Sequence, residues 1–142
     1  MKKVINGAIS LILVLMCVIS LAACNSAEKT DIWKNATYRK DRTFGEGARV
    51  VVVEVSAEDQ VVTFTINTDK DTVGEALLEH ELIEGEPGEY GMYVKTVNGM
   101  LADYSVNKSY WLLYIDGEYA MSGVDTTEIV EGSVYRLEYT RE

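Results

Sequence analysis

The chain carries one helix-forming stretch among five strand-like runs, and a lone short helix must find a sheet to cover its apolar stripe. Val50 to Val55 is a β-branched run that reads as a strand. Ser56 to Gln60 is a polar turn, giving a hairpin loop of about five residues. Val61 to Thr68 alternates, with Val62, Phe64 and Ile66 on one face and Thr63, Thr65 and Asn67 on the other, as a half-buried antiparallel strand does. Thr72 followed by Glu75 is a capping-box signature. The helix it opens shows Val73, Ala76 and Leu77 on one stripe, with His80 at the next turn, and is expected to end near Ile83, before Gly85, Pro87 and Gly88. Strands follow at Met92 to Val97, Tyr110 to Ile115 and Val134 to Thr140, with Asn98-Gly99 and Asp116-Gly117 as turns.

The order β-β-α-β-β-β predicts an α+β, β-grasp-like fold: one curled mixed sheet packed on one helix, with the last strand beside the first and parallel to it. An open antiparallel α+β sandwich is the other arrangement this order permits.

The start of the chain reads as an address. Met1-Lys2-Lys3 is positive, an apolar stretch runs from Val4 to Leu21, and Leu21-Ala22-Ala23-Cys24 closes it. A charged start, an apolar run and small residues before a cleavage point describe a secretory signal. A stretch of this length could also span a bilayer, but the Leu-Ala-Ala-Cys ending resembles the bacterial lipobox. That resemblance implies a signal peptide over residues 1–23, cut before Cys24, with Cys24 lipidated and serving as the membrane anchor at the extracytoplasmic face. Two acyl chains hold a protein stably on a membrane. Cys17 would then be discarded, so the mature chain would hold no internal disulfide.

Charge limits the partners. The 142 residues carry 13 Lys+Arg and 23 Asp+Glu, a formal net charge of −10. Loss of residues 1–23 would remove Lys2 and Lys3, leaving 11 basic against 23 acidic residues, or −12. Nucleic acid is an improbable partner for such a surface, because affinity there comes largely from neutralising phosphates. Residues 24–47 are polar and mixed in charge and read as the lipidated N-terminus and a tether, with Trp33 docking back on the domain as the alternative. The folded domain is expected over residues 48–142.

Several short motifs act together. They are Thr72 to Leu78, Tyr90-Gly91-Met92-Tyr93-Val94, Val97-Asn98-Gly99, Tyr110 to Glu118, Ser122-Gly123-Val124-Asp125, and Gly132 with Tyr135 to Tyr139. In this combination and spacing the chain resembles the transcobalamin-like C-terminal domain family, a domain of unknown function frequent in bacterial surface lipoproteins, over about residues 61–140. In the cobalamin carriers that share this domain, it closes over a corrinoid held against a larger helical domain. The resemblance therefore implies a corrinoid as candidate ligand, with a partner protein supplying the second wall.

Eight of the nine tyrosines lie between Tyr90 and Tyr139. Aromatic side chains offer large rigid contact area and are enriched at recognition surfaces. Trp111, Leu113 and Ile115 share the apolar face of their strand, so Trp111 reads as core, while Tyr110 and Tyr114 lie opposite. The candidate ligand contacts are Tyr93, Tyr110 and Tyr114, with Trp111 retained, and Tyr119 and Met121 in the loop after the fourth strand.

Asn67-x-Asp69-x-Asp71 begins like a calcium loop, but Thr72 stands where Gly is required and Leu78 where a bidentate Glu is required. It reads as a strand-to-helix turn, with Asp69 and Asp71 favouring the helix N-terminus. His80, the sole histidine, has no ligand pair at helical spacing and reads as a partly packed helix residue. No nucleophile elbow, P-loop or mature cysteine points to catalysis. The reading is a non-catalytic ligand-binding lipoprotein without a resident cofactor. A surface adhesion module for protein or glycan, or a metal-binding protein, are the alternatives.

Overall fold

A computed structural model describes residues 31–142. The expected signal segment, Cys24 and the first part of the expected tether lie outside the described residues. Ile32 to Glu142 forms one compact unit. It is mixed α+β and mostly strand, in two sheets.

The larger sheet has six strands in the order β1 (Arg42–Phe44), β3 (Gln60–Thr68), β2 (Arg49–Ala57), β9 (Val134–Arg141), β7 (Ser109–Ile115) and β8 (Glu118–Tyr119). Its spine is the hairpin of β2 (Arg49–Ala57) and β3 (Gln60–Thr68). Val51, Val53, Val55 and Ala57 of β2 and Val62, Phe64 and Ile66 of β3 are buried, so the alternation in the sequence does set the inward face. The expected five-residue loop contracts to two residues, Glu58-Asp59, because pairing continues to Ala57↔Gln60. Glu58 adopts φ 53° to make that tight turn.

β9 (Val134–Arg141) runs parallel to β2 and antiparallel to β7 (Ser109–Ile115). The last strand thus lies beside the first of the leading hairpin, in the middle of the sheet. Arg136 bridges to Glu54 across that junction at 2.7 Å. β8 (Glu118–Tyr119) covers β7 only at Tyr114 and Ile115.

The described part of the expected tether is packed, which corrects that reading for residues 32–47. A 3-10 turn at Ile32–Asn35 buries Ile32 and Trp33, and Trp33 Nε1 donates to Ala57 O at 2.9 Å. β1 (Arg42–Phe44) then pairs parallel with β3. Tyr38, Phe44 and Phe64 meet edge-on with centroids 5.4–6.0 Å apart. Polar composition hid this docking because only four large apolar groups carry it.

The helix α1 (Val73–Glu79) has the expected capping box: Thr72 Oγ1 accepts from Glu75 N, and Glu75 accepts from Thr72 N. It is shorter than the sequence suggested. Glu81 N donates to Leu78 O and Leu82 N to Leu77 O, with Glu81 left-handed at φ 54°. That is a Schellman ending with glutamate in the position that usually favours glycine. Leu82 and Ile83, read as the helix end, instead lead into a strand.

That strand, β4 (Ile83–Gly88), pairs with β5 (Gly91–Val97), and β5 pairs with β6 (Met100–Leu101) through the Asn98-Gly99 turn. This second sheet replaces the single curled sheet expected. β4 escaped notice because Gly85 and Pro87 resemble loop residues. A bulge between Glu84 and Gly85 and an edge position accommodate them. Asn98 is 1% exposed, and its side chain bonds both backbone groups of Tyr38, accepting at 2.9 Å and donating at 2.7 Å. One helical turn, α2 (Tyr104–Asn107), precedes β7.

Candidate functional site

An open groove of about 600 Å³ lies where the β4–β5 hairpin tip, β7 and the loop after β8 come together. Each wall has a local cause. Gly88 and Gly91 close the hairpin around Glu89 and Tyr90, which leaves Tyr90 77% exposed. β7 presents both its faces at an edge that short β8 leaves uncovered, so Tyr110 and Trp111 both reach the groove.

The loop from Ala120 to Asp125 is fixed against the hairpin. Asp125 Oδ1 accepts from Met92 N at 2.7 Å, and Gly123 N donates to Tyr90 O at 3.0 Å. A Cβ at Gly123 would stand 2.7 Å from Asp125 Oδ1 and 3.0 Å from Met92 N, so a side chain there would force this clamp open. The loop's other side meets the helix: Gly74 N donates to Val124 O at 2.8 Å.

Five of the six predicted contacts line the groove: Tyr93, Tyr110, Trp111, Tyr119 and Met121. Trp111 is both core and wall. It is 8% exposed, packs edge-on against Tyr139 at 5.4 Å, and its Nε1 is buried with no acceptor among the described residues. Tyr114 is outside the lining; it pairs across strands with Tyr119, centroids 6.1 Å apart, and supports that ring from behind. Tyr90, Met92, Tyr104, Glu89 and Glu142 also line the groove and were not predicted. Tyr90 follows once β4 is known to be a strand. Tyr104 and Glu142 meet through the tertiary fold, with no sequence signal.

At the end where Tyr104 and Glu142 meet, Tyr104 OH donates to Glu142 Oε2 at 2.9 Å. That bond, then the carboxylate's charge, raises the Tyr104 pKa above the ordinary phenol value. The Lys108 ammonium lies 4.5 Å from the centre of the Tyr104 ring. The Ser105 hydroxyl and amide hold the Asp103 carboxyl below its ordinary value. Lys95 is paired with Glu86 at 3.1 Å, which raises its pKa.

Elsewhere, Asp69 accepts from Ala48 N at 2.9 Å and Asp71 pairs with Arg49 at 2.9 Å. Asp69 thus ties the residue before β2 to the turn and Asp71 pairs with the first residue of β2, while Thr72 and Glu75 cap the helix. His80 stacks on Phe44, with centroids 5.2 Å apart, as a packed C-cap residue. Among the described residues no group of three His, Cys, Asp or Glu is arranged to hold a metal ion. None of their helices is long and apolar enough to cross a membrane.

No curated protein matches the chain. Among solved structures, the chain is similar to a protein of Ruminococcus gnavus ATCC 29149 described as a "putative metal binding protein". That match has 29% identity and a TM-score of 0.62, covering 66% of this chain and 98% of that one. Haptocorrin in complex with Cbi also matches, at 16% identity and a TM-score of 0.47, covering 68% of this chain and 26% of that one. Residues 70–141, which hold α1, the second sheet and every lining residue of the groove except Glu142, match DUF4430, a domain of unknown function, and the chain belongs to that family.

Proposed function

We propose that this protein is an extracytoplasmic lipoprotein, anchored through Cys24, whose β-grasp-like domain binds a small ligand without catalysing a reaction. The groove carries the proposal: six aromatic side chains and Met121 face a common open space on a rigid scaffold. The parallel placement of β9 beside β2 supports the β-grasp reading. The lipobox resemblance supports the anchor.

A corrinoid is the concrete candidate, on the family resemblance of the motifs. The groove is open on one side, so a large ligand would leave one face bare for a second protein. Titration with cobalamin, followed by Trp111 and tyrosine fluorescence, tests this. Saturable quenching that weakens in Tyr110→Ala is the expected result. Absence of quenching at high micromolar cobalamin, with and without a helical partner, removes the corrinoid. Metal binding is the second reading, supported by the description given to the R. gnavus protein. Calorimetry with calcium and with zinc tests it, and no heat in either retires it.

A further inference from the structure

The groove has walls of one electrical character. No Lys or Arg lines it, whereas Glu89 and Glu142 do, and the remaining polar side-chain groups are phenols, the Ser122 hydroxyl and the Trp111 indole. Of the nearby ammonium groups, Lys95 is held by Glu86 at 3.1 Å, and Lys108 rests on the ring of Tyr104, which lines the groove. That second contact matters, because it shows a ring of this cluster already holding an ammonium at 4.5 Å. The Glu142 carboxylate is fixed by the Tyr104 hydroxyl at 2.9 Å, so its negative charge stays at the groove's end rather than swinging into solvent. Aromatic faces carry negative potential and attract cations within about 6 Å of the centroid. A fixed carboxylate beside such faces, with no Lys or Arg among the lining residues and Lys108 confined to the Tyr104 ring, favours positive charge on an apolar body.

We propose that the ligand taken by this groove is an organic cation of the quaternary ammonium class, its charge held by aromatic faces next to Glu142. The proposal rests on the reading of the groove as the binding site, not on the corrinoid as its occupant, and names the chemistry of what enters it. An anionic ligand would meet two carboxylates and no Lys or Arg among the lining residues. A neutral apolar ligand would gain the contact area but nothing from Glu142.

Choline and 3,3-dimethylbutan-1-ol have nearly the same shape and differ in charge, so the pair isolates the cation. The full chain in non-ionic detergent is titrated with each, reading tyrosine and tryptophan fluorescence. Choline is expected to bind about 3-fold to 30-fold more tightly than the alcohol, the range that cation–π contacts span between exposed and desolvated sites. Glu142→Gln should weaken choline at least about 3-fold and leave the alcohol unchanged. Glu131→Gln removes the same charge from an exposed position outside the groove and should change neither. If the alcohol binds as tightly as choline, the cation is wrong while the groove stands. If Glu131→Gln weakens choline as much as Glu142→Gln does, the attraction belongs to the whole acidic surface and the assignment to this site falls. If neither compound perturbs the fluorescence, the cation falls, and the groove reading is then decided separately by the cobalamin titration.

Discussion

Replacing Trp33 with alanine separates a packed N-terminal segment from a loose tether. The side chain is 2% exposed and donates to the Ala57 carbonyl at 2.9 Å. A buried tryptophan removes about 150–250 Å² from water. At about 25 cal/mol per Å² that is about 4–6 kcal/mol as an upper bound, since the unfolded chain already hides part of that surface. Measured Trp→Ala changes in cores cost about 3–5 kcal/mol, and that is the loss expected here. Urea denaturation followed by circular dichroism reads it directly. With a slope of about 2 kcal/mol/M, the midpoint should fall by about 2 M and the slope should stay constant. Trp33→Phe keeps most of the apolar contact and loses the hydrogen bond, so it should cost only about 1–2 kcal/mol. A midpoint shift below about 0.5 M for Trp33→Ala would refute the packing argument and return residues 32–47 to the status of a tether.

Four further outcomes follow from the same structure. Gly74→Ala gains about 1 kcal/mol of helix propensity, but its Cβ would stand 2.7–2.9 Å from the Asp125 and Val124 backbone. Overpacking costs about 1–3 kcal/mol, so a lower melting temperature is expected and a raised one would show the contact to be soft. Glu81→Gly relieves the left-handed Schellman position at φ 54° and should raise stability by about 0.5–1 kcal/mol in thermal melts; a destabilised variant would mean the glutamate side chain contributes more than its backbone strain costs. Asp125→Ala leaves the Met92 amide without its acceptor, at about 1–3 kcal/mol. Hydrogen exchange should then quicken at Met92 and Gly123, and unchanged exchange there would contradict the clamp. Asp103 has a folded pKa below its unfolded one, so its support of α2 is present above the unfolded value and is lost as pH falls through the lower folded value. The Ser105 amide resonance should move in that acid range, and Asp103→Asn should abolish the movement.

The sequence was most legible where one periodicity acted alone. β2, β3 and β9 alternate over a buried face, and the Thr72–Glu75 box and Asn98-Gly99 turn are local chemistry, so residues a few positions apart determine them. Legibility failed where a distant partner decides. β4 is a strand because β5 pairs with it despite Gly85 and Pro87. Trp33 is core because Ala57 and the hairpin receive it. The groove divides in the same way. Tyr93, Tyr110, Trp111, Tyr119 and Met121 could be named from aromatic density and the loop after the fourth strand, since strand alternation and loop position are local facts. Tyr114 was misplaced because alternation gives a face and not how far along the edge an opening extends. Glu142 could not be found at all, as only the tertiary path brings it to Tyr104.

The central position of β9 bears on how such a chain is made. Its bridge from Arg136 to Glu54 joins residues 82 positions apart. Until synthesis has passed residue 134, β2 and β7 each present a bare inner edge, and nothing local can close the gap between them. An emerging chain of this topology stays open almost to its last strand. The sheet closes only when the final strand arrives between β2 and β7.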